Sequence, residues 1–315
     1  MSETEALLAA ILAARRPIEF TAIATKAANT LAPSQLAELY HAMDLPVYAT
    51  KRSAFKAAAL YWPRFYGRAF LRSRSPRVFR NSKLSSGLRF FEDLSAPVSD
   101  KSLLILVSGY GGRLFVPVSL FLDCLPARAM DVVFLSANGR NHYRHGVVGS
   151  GDNLLAVAAS LRERFAISEY SRLDVLGTSG GGFAALRLAN MLQADNGVAV
   201  GGNYPFDMLR LGGLAAAKIS AFDPLCSCVA PKAKRLICAF APGSQVDASN
   251  AHNAAISCPS IKLYPVEGQT GHAFLHILYR NRQLERFLEL MLSDIKNPPA
   301  LSRIGYLVQG LLPRR

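Results

Sequence analysis

The feature that most constrains the fold is a serine set between glycines where an apolar run meets a helical pattern. The run covers residues 173–176 and leads directly into Gly-Thr-Ser-Gly-Gly at residues 177–181, whose serine is Ser179. A serine on a sharp turn from strand to helix needs neighbours without side chains two positions to either side, because the two backbones nearly touch there. Gly177 and Gly181 meet that need. The pattern predicts a nucleophile elbow, and a purely structural strand-turn-helix is the alternative.

From about residue 87 the chain alternates between short apolar runs and helical patterns. Strands buried on both faces have continuous apolar sequences, so this alternation predicts an α/β fold with a mostly parallel sheet flanked by helices. The predicted strands cover residues 88–91, 103–107, 132–135, 173–176, 198–201, 236–240 and 261–264. An interrupted helical pattern at residues 206–231 predicts a lid over the carboxyl ends of the strands.

The residues before the sheet differ in composition. Apolar residues at helical spacing within residues 3–43 predict a small helical module, and residues 73–86 predict a basic linker. We therefore predict three segments. They are an N-terminal helical and basic extension at residues 1–86, an α/β domain at residues 87–296 and a C-terminal tail at residues 297–315.

The net charge of +14 is concentrated in one stretch of the chain. Residues 45–91 contain no Asp or Glu, and residues 51–89 contain eleven Lys and Arg residues with aromatic residues among them. We expect this basic stretch to pack on the α/β domain or to form a solvated face. Contact with a peripheral membrane surface or an anionic polymer is the second interpretation. No motif accompanies the charges that would predict specific nucleic-acid binding.

The sequence does not favour a membrane-spanning, exported or metal-binding protein. No apolar run reaches the roughly 18 to 20 residues that a spanning helix needs. The acidic start Met-Ser-Glu-Thr-Glu differs from the basic start of a secretory signal. The five cysteines give an odd number, and the pair Cys226 and Cys228 lacks the spacing of a zinc site. We expect a cytoplasmic protein without a metal, and the basic stretch at residues 51–89 is the part that would contact a membrane under the second interpretation.

A serine nucleophile needs a histidine to take its proton and a carboxylate to orient that histidine. His272 follows the last predicted strand in a glycine-rich loop, and Asp247 follows the strand before it. Both lie at the edge of the predicted sheet that also carries Ser179. We predict Ser179, His272 and Asp247 as the catalytic residues, and Asp247 is also placed to cap the helix after it. The alternatives left open are His276 as the base and Asp207, Asp223 or Glu267 as the acid.

The oxyanion of an acyl-transfer intermediate needs two backbone N–H donors. Gly180, directly after the serine, is placed to supply one of them. The loop Ser-Gly-Tyr-Gly-Gly at residues 108–112 follows an early predicted strand, and Tyr110 or Gly111 is placed to supply the other. We predict Gly180 and Tyr110 as the oxyanion hole.

A polar loop after the predicted strand at residues 132–135 carries further candidates. Arg140 and His142 lie in it, and an arginine there can pair with a carboxylate or phosphate group of a substrate. We predict both as substrate-binding residues, with an ordinary solvated loop as the alternative. The glycine-rich turns of the chain match neither a P-loop nor a dinucleotide-binding pattern, so no cofactor is expected.

These motifs together resemble the α/β-hydrolase superfamily over residues 87–295. The resemblance is carried by the serine motif, by the glycine-rich loop upstream of it and by Gly271-His272 downstream. Three further stretches look like a poorly characterised bacterial branch of the superfamily. They are Arg-Leu-Phe-Val-Pro at residues 113–117, Arg-Asn-His-Tyr-Arg-His-Gly at 140–146 and Gly-Gly-Asn-Tyr-Pro-Phe-Asp at 201–207.

The resemblance implies an eight-stranded sheet and a Ser-Asp/Glu-His mechanism. It also implies that Ser108 stands where lipases and esterases carry the histidine of their oxyanion loop. We expect a serine hydrolase that cleaves an ester or related acyl bond of a small molecule, lipid or glycan through an acyl-enzyme on Ser179. An acyltransferase that modifies a glycan or lipid with the same triad is one alternative, and a non-catalytic binding module is another. The resemblance identifies no particular substrate.

Overall fold

A computed structural model describes residues 2–61, 77–110, 112–137, 143–203 and 233–293. The predicted lid and the predicted C-terminal tail lie outside these residues, and so do Arg140, His142 and Gly111. Part of the basic stretch, at residues 62–76, also lies outside them.

The described residues contain one sheet of eight strands. The strands are β1 (Arg80–Lys83), β2 (Leu88–Glu92), β3 (Ser102–Val107), β4 (Met130–Leu135), β5 (Arg172–Thr178), β6 (Asn196–Val200), β7 (Arg235–Phe240) and β8 (Ile261–Pro265). Their spatial order is β1-β2-β4-β3-β5-β6-β7-β8. β2 pairs antiparallel with both β1 and β4, whereas the other pairs are parallel. The prediction of a mostly parallel sheet is confirmed.

Helices cover the sheet on both faces. In chain order the described α-helices are α1 (Glu3–Ala13), α2 (Pro17–Thr30), α3 (Pro33–Ala42), α4 (Ala49–Tyr61), α5 (Val118–Asp123), α6 (Leu154–Phe165), α7 (Gly182–Leu192), α8 (Gln245–Ser257), α9 (Phe274–Arg280) and α10 (Leu284–Met291). One buried core joins the sheet to α1–α5, α9 and α10. A second core joins the opposite face of the sheet to α6, α7 and α8.

The central strands carry continuous apolar runs because both of their faces are covered. Every residue of β3 and β4 is buried. In β3 the side chains alternate between the two cores, with Leu104 and Leu106 in the first. Leu103, Ile105 and Val107 lie in the second. Continuous apolar runs, rather than alternating ones, therefore identify these strands in the sequence.

The N-terminal helices share a core with the sheet. Phe20 of α2 and Leu39 of α3 belong to the same buried cluster as Phe287 of α10. An ion pair reinforces the contact, because an Nη1 of Arg89 on β2 lies 2.9 Å from a carboxylate oxygen of Glu3 on α1. The helical extension therefore packs directly on the α/β domain.

Replacing Leu39 with alanine tests this shared core. Leu39 is fully buried, so we expect the variant to lose about 2 to 5 kcal/mol of unfolding free energy. Because the helices and the sheet bury a common cluster, unfolding should remain a single transition in urea, followed by circular dichroism. The matched control is Leu45→Ala, whose side chain is 54% exposed, and it should change stability by less than about 0.5 kcal/mol. Separate transitions for helices and sheet would contradict the shared core.

The sheet begins earlier than the sequence predicted, because β1 lies inside the predicted basic linker at residues 73–86. β1 has the sequence Arg-Asn-Ser-Lys and no buried position. It is held at the edge of the sheet by pairing with β2, where Arg80 is opposite Glu92 and forms an ion pair with it. A strand that buries no apolar side chain carries no hydrophobic pattern, which is why the sequence did not reveal it.

Five basic side chains of the stretch at residues 51–89 are bound within the protein. Lys51 and Arg52 donate hydrogen bonds to backbone carbonyls at the ends of α1 and α3. Arg77, Arg80 and Arg89 form ion pairs with acidic residues. The described part of the stretch thus contributes to packing, and contact with a membrane or an anionic polymer stays a prediction. Within the described ranges, none of the helices has the length and hydropathy required to traverse a bilayer.

Candidate active site

Ser179 lies on the turn between β5 and α7, at the carboxyl end of a central strand. Its backbone φ is +49°, a left-handed conformation that costs a residue with a side chain about 1 to 3 kcal/mol. Such strain persists only where the surrounding structure imposes it. The side chain is partly exposed, whereas Thr178 before it is buried. The turn therefore exposes the Ser179 hydroxyl group at the end of a strand that is otherwise buried.

The two glycines beside the serine are needed for close contacts. A Cβ atom at Gly177 would lie 2.3 Å from the carbonyl oxygen of Gly181. A Cβ atom at Gly181 would lie 2.3 Å from the carbonyl oxygen of Ser108 and 2.5 Å from that of Val107. The helix after the serine therefore approaches both its own strand and the end of β3 at distances that exclude any side chain.

Gly181→Ala should destabilise the protein by about 3 kcal/mol, because the new methyl group would have to displace the backbone at the end of β3. Urea unfolding at equilibrium measures the loss. Gly271→Ala is the matched control, since a Cβ atom at Gly271 meets no atom within 4 Å and should change stability by less than about 0.5 kcal/mol. Similar stabilities for the two variants would show that the backbone around Gly181 is packed less closely than these distances indicate.

The three residues predicted to be catalytic lie together. His272 comes from the loop between β8 and α9, and its Nε2 atom is 2.9 Å from the Oγ atom of Ser179. Its Nδ1 atom is 2.7 Å from the Oδ1 atom of Asp247. The imidazole is therefore hydrogen-bonded on both of its nitrogens, by the hydroxyl on one side and by the carboxylate on the other. Its side chain is 40% exposed, whereas that of Asp247 is fully buried.

Asp247 lies in the first turn of α8, and the helix is capped by another residue. The Oγ atom of Ser244 accepts a hydrogen bond from the backbone N–H of Asp247, so Ser244 is the N-cap and the alternative role of Asp247 as the cap is wrong. The amino end of a helix carries a partial positive charge, which favours a carboxylate there. Among the alternative acids, Glu267 is exposed, and Asp207 and Asp223 lie outside the described residues.

The loop predicted to form the oxyanion hole runs beside the serine. A Cβ atom at Gly109 would lie 3.1 Å from the Cβ atom of Ser179. The N–H of Gly109 donates to the carbonyl of Arg113 over 2.7 Å, which folds the loop back on itself. The side chain of Tyr110 is 58% exposed at the tip of the loop. Gly180 directly follows the serine in the turn before α7, so both predicted donors belong to segments that border Ser179.

Two residues that border His272 were missed by the sequence reasoning. The ring of Phe115 lies edge-on to the imidazole with 4.9 Å between ring centroids, and its backbone φ is +66°. A Cβ atom at Gly201, where φ is +53°, would lie 3.4 Å from the Nδ1 atom of His272. Phe115 lies in an apolar run that resembles the sequence of a buried core. Its left-handed backbone and its contact with His272 distinguish it from a core residue, and neither can be read from the sequence. The glycine pair at residues 201–202 was the available signal for Gly201.

His276, the alternative base, lies one helical turn further along on α9. Burial lowers the pKa of its imidazole, and Arg280 nearby lowers it further. The contact with the serine hydroxyl is made by His272. Within the parts of the chain described here, His, Cys, Asp and Glu side chains form no group of three that could hold a metal ion.

The strand order and the site together decide the fold family. A sheet ordered β1-β2-β4-β3-β5-β6-β7-β8 carries a strained serine after β5, an acidic residue after β7 and a histidine after β8. The chain has the α/β-hydrolase fold. This confirms the predicted fold class.

No protein-family model matches the chain, and no curated protein matches it. Solved structures do. MGS-MChE2, an α/β-hydrolase enzyme from a sediment metagenome of the lagoon of Mar Chica, is 14% identical with a TM-score of 0.42, covering 67% of this chain and 98% of that one. TT1662 from Thermus thermophilus is 19% identical with a TM-score of 0.44, covering 67% and 98%. An esterase from Pyrococcus furiosus is 15% identical with a TM-score of 0.43, covering 68% and 92%.

Proposed function

We propose that this α/β-hydrolase-fold protein is a serine hydrolase that cleaves an ester or related acyl bond through an acyl-enzyme on Ser179. The observation that carries the proposal is the imidazole of His272, hydrogen-bonded to the Ser179 hydroxyl through Nε2 and to the buried carboxylate of Asp247 through Nδ1. A serine hydroxyl is a poor nucleophile at neutral pH, and this arrangement is the one that activates it.

In the first step the Oγ atom of Ser179 attacks the acyl carbon while Nε2 of His272 takes the hydroxyl proton. The bond from carbon to the leaving oxygen then breaks, and the imidazolium gives its proton to the departing alcohol. Asp247 keeps the proton of the neutral imidazole on Nδ1, so Nε2 is the free base, and it stabilises the imidazolium that forms. Because Asp247 is buried, no solvent competes for that hydrogen bond.

In the second step a water molecule attacks the acyl carbon and gives a proton to the same nitrogen. The bond to Oγ breaks, the proton returns to Ser179, and the acid product leaves. The side chain of His272 is 40% exposed, so solvent reaches part of the imidazole. Solvent at the imidazole supports hydrolysis, because acyl transfer to another acceptor requires a site that excludes water.

Both steps pass through a tetrahedral oxyanion. The backbone N–H groups of Gly180 and Tyr110 are the proposed donors to it, because both belong to segments that border the nucleophile. A preorganised donor of this kind lowers the barrier by roughly 3 to 4 kcal/mol. Arg140 and His142 stay proposed contacts for the remainder of the substrate.

The test is labelling with a fluorophosphonate, which reacts with activated serines, followed by peptide mapping of the adduct. We expect a single adduct on Ser179, blocked by prior heating of the protein, and turnover of at least one member of a series of p-nitrophenyl esters graded by acyl length. Released acid identifies a hydrolase, whereas an acylated product formed from added alcohol identifies an acyltransferase. An unlabelled serine in the folded protein would identify a non-catalytic module.

A further inference from the structure

Tyr143 is a buried tyrosine that the mechanism above does not use. Its hydroxyl group lies 2.8 Å from the carbonyl oxygen of Ser108 and 3.0 Å from that of Leu135. The Oγ atom of Ser108 lies 3.0 Å from the same hydroxyl. A phenol has one proton and accepting lone pairs, so it can donate to a carbonyl while accepting from the Ser108 hydroxyl. The side chain is 3% exposed, and burial raises the pKa of the phenol, which keeps it a neutral donor.

This contact holds the first peptide group of the oxyanion loop. The carbonyl of Ser108 is bound by Tyr143, and the N–H of the same peptide group, which belongs to Gly109, donates to the carbonyl of Arg113. A peptide group is planar, so binding both its oxygen and its N–H sets its orientation. The next amide along the chain is that of Tyr110, the proposed oxyanion donor.

The loop needs such a constraint. Gly109 has no side chain and therefore wide conformational freedom, and it lies against Ser179, where bulk is excluded. The contact also lies next to the turn that carries Ser179. The Ser108 carbonyl oxygen that Tyr143 binds would be the nearest atom to a Cβ atom built at Gly181, at 2.3 Å. Tyr143 itself has a φ of +64°, and its carbonyl accepts from the N–H of Gly146 in a tight turn.

We propose that Tyr143 is a positioning residue that holds the oxyanion loop, through its hydroxyl group, in the geometry that acyl transfer requires. The inference rests on the proposed serine hydrolase function and adds to it the group that orients one of the two oxyanion donors. Tyr143 acts through Ser108 and does not contact the reacting atoms. Its loss should therefore raise the barrier without altering the binding of the substrate.

The test compares Tyr143→Phe with Tyr170→Phe by steady-state kinetics on the best p-nitrophenyl ester and by amide hydrogen exchange. Tyr170 is the matched control because its hydroxyl also donates a hydrogen bond, to Asp131 over 2.8 Å, at the opposite end of β4. We expect Tyr143→Phe to lower kcat by roughly 10- to 100-fold with KM changed less than about twofold. Exchange within residues 108–112 should rise roughly fivefold. Tyr170→Phe should change neither readout.

The two readouts separate the failure of this inference from the failure of the proposed function. Unchanged exchange in the 108–112 loop would show that Tyr143 does not hold it. Raised exchange with wild-type kcat would show that the contact exists and does not serve catalysis. Absence of both turnover and labelling in the wild-type protein would contradict the proposed function. Amide hydrogen exchange would still test whether Tyr143 holds the 108–112 loop. Should Tyr143→Phe fail to fold, Tyr143→Met, whose flexible apolar side chain also lacks the hydroxyl group, is measured in the same way against the same expected results.

Discussion

Ser179→Ala is expected to lower kcat toward acyl esters by on the order of 10⁶-fold, because the acyl-enzyme cannot form without the hydroxyl group. The oxyanion donors and the binding surface remain, so KM should change little and a small residual rate should persist. The left-handed backbone at this position is strained for serine and alanine alike, so the variant should fold. Steady-state kinetics and fluorophosphonate labelling measure the loss, and circular dichroism checks the fold.

The matched control for this variant is Ser171→Ala. Ser171 is exposed at the opposite edge of the sheet, just before β5, and its hydroxyl donates to the carbonyl of Lys101 over 2.7 Å. Ser171→Ala should react with the fluorophosphonate and hydrolyse acyl esters as the wild type does. Retention of wild-type turnover by Ser179→Ala would mean that another nucleophile carries the reaction, and the proposed mechanism would be withdrawn.

Asp247→Asn is expected to lower kcat by about 10⁴-fold while the fold is kept. Asparagine has the same shape, so the buried site should still be filled. Its amide, however, lacks the negative charge that stabilises the imidazolium, and an NH₂ group directed at Nδ1 of His272 would move the imidazole proton to Nε2. In that tautomer Nε2 can no longer accept the proton of Ser179. The measurement is kcat across the pH range in which the wild type is active.

Glu267→Gln is the control for the identity of the acid. Glu267 is only five positions from His272 in the sequence, yet its side chain is exposed and the carboxylate that contacts Nδ1 belongs to Asp247. The variant should keep kcat within about twofold of the wild type, as is usual for exposed positions away from a site. A large loss in Glu267→Gln together with a small one in Asp247→Asn would reverse the assignment.

The fold was predictable where burial leaves a pattern in the sequence. β3 to β7 are covered on both faces, and their continuous apolar runs predicted them at nearly their observed positions. β1 was missed because an exposed edge strand needs only backbone pairing with β2 and places no demand on its side chains. The resemblance implied the number of strands, but their order was not predicted, since periodicity describes each strand by itself and not its neighbours.

The site was predictable where chemistry restricts the residue type. Ser179 with its glycines and His272 after the last strand follow from what a nucleophile and a base require, and the structure brings them within hydrogen-bond distance. Asp247 was one of four candidate acids, because any carboxylate near the histidine satisfies the same chemical need. Phe115 was not predicted at all, since nothing in the sequence distinguishes an aromatic residue that packs against His272 from one in the core.

By itself, then, the sequence determined the α/β architecture and the residue types of the proposed chemistry, because burial and reactivity act on each position locally. Only the tertiary structure decided which carboxylate faces the imidazole, that the N-terminal helices share the core of the sheet, and that Tyr143 binds the Ser108 carbonyl. These are contacts between residues 25 or more positions apart in the chain. Whether such pairs meet depends on how the strands are ordered and how the loops close, and no single stretch of sequence records that.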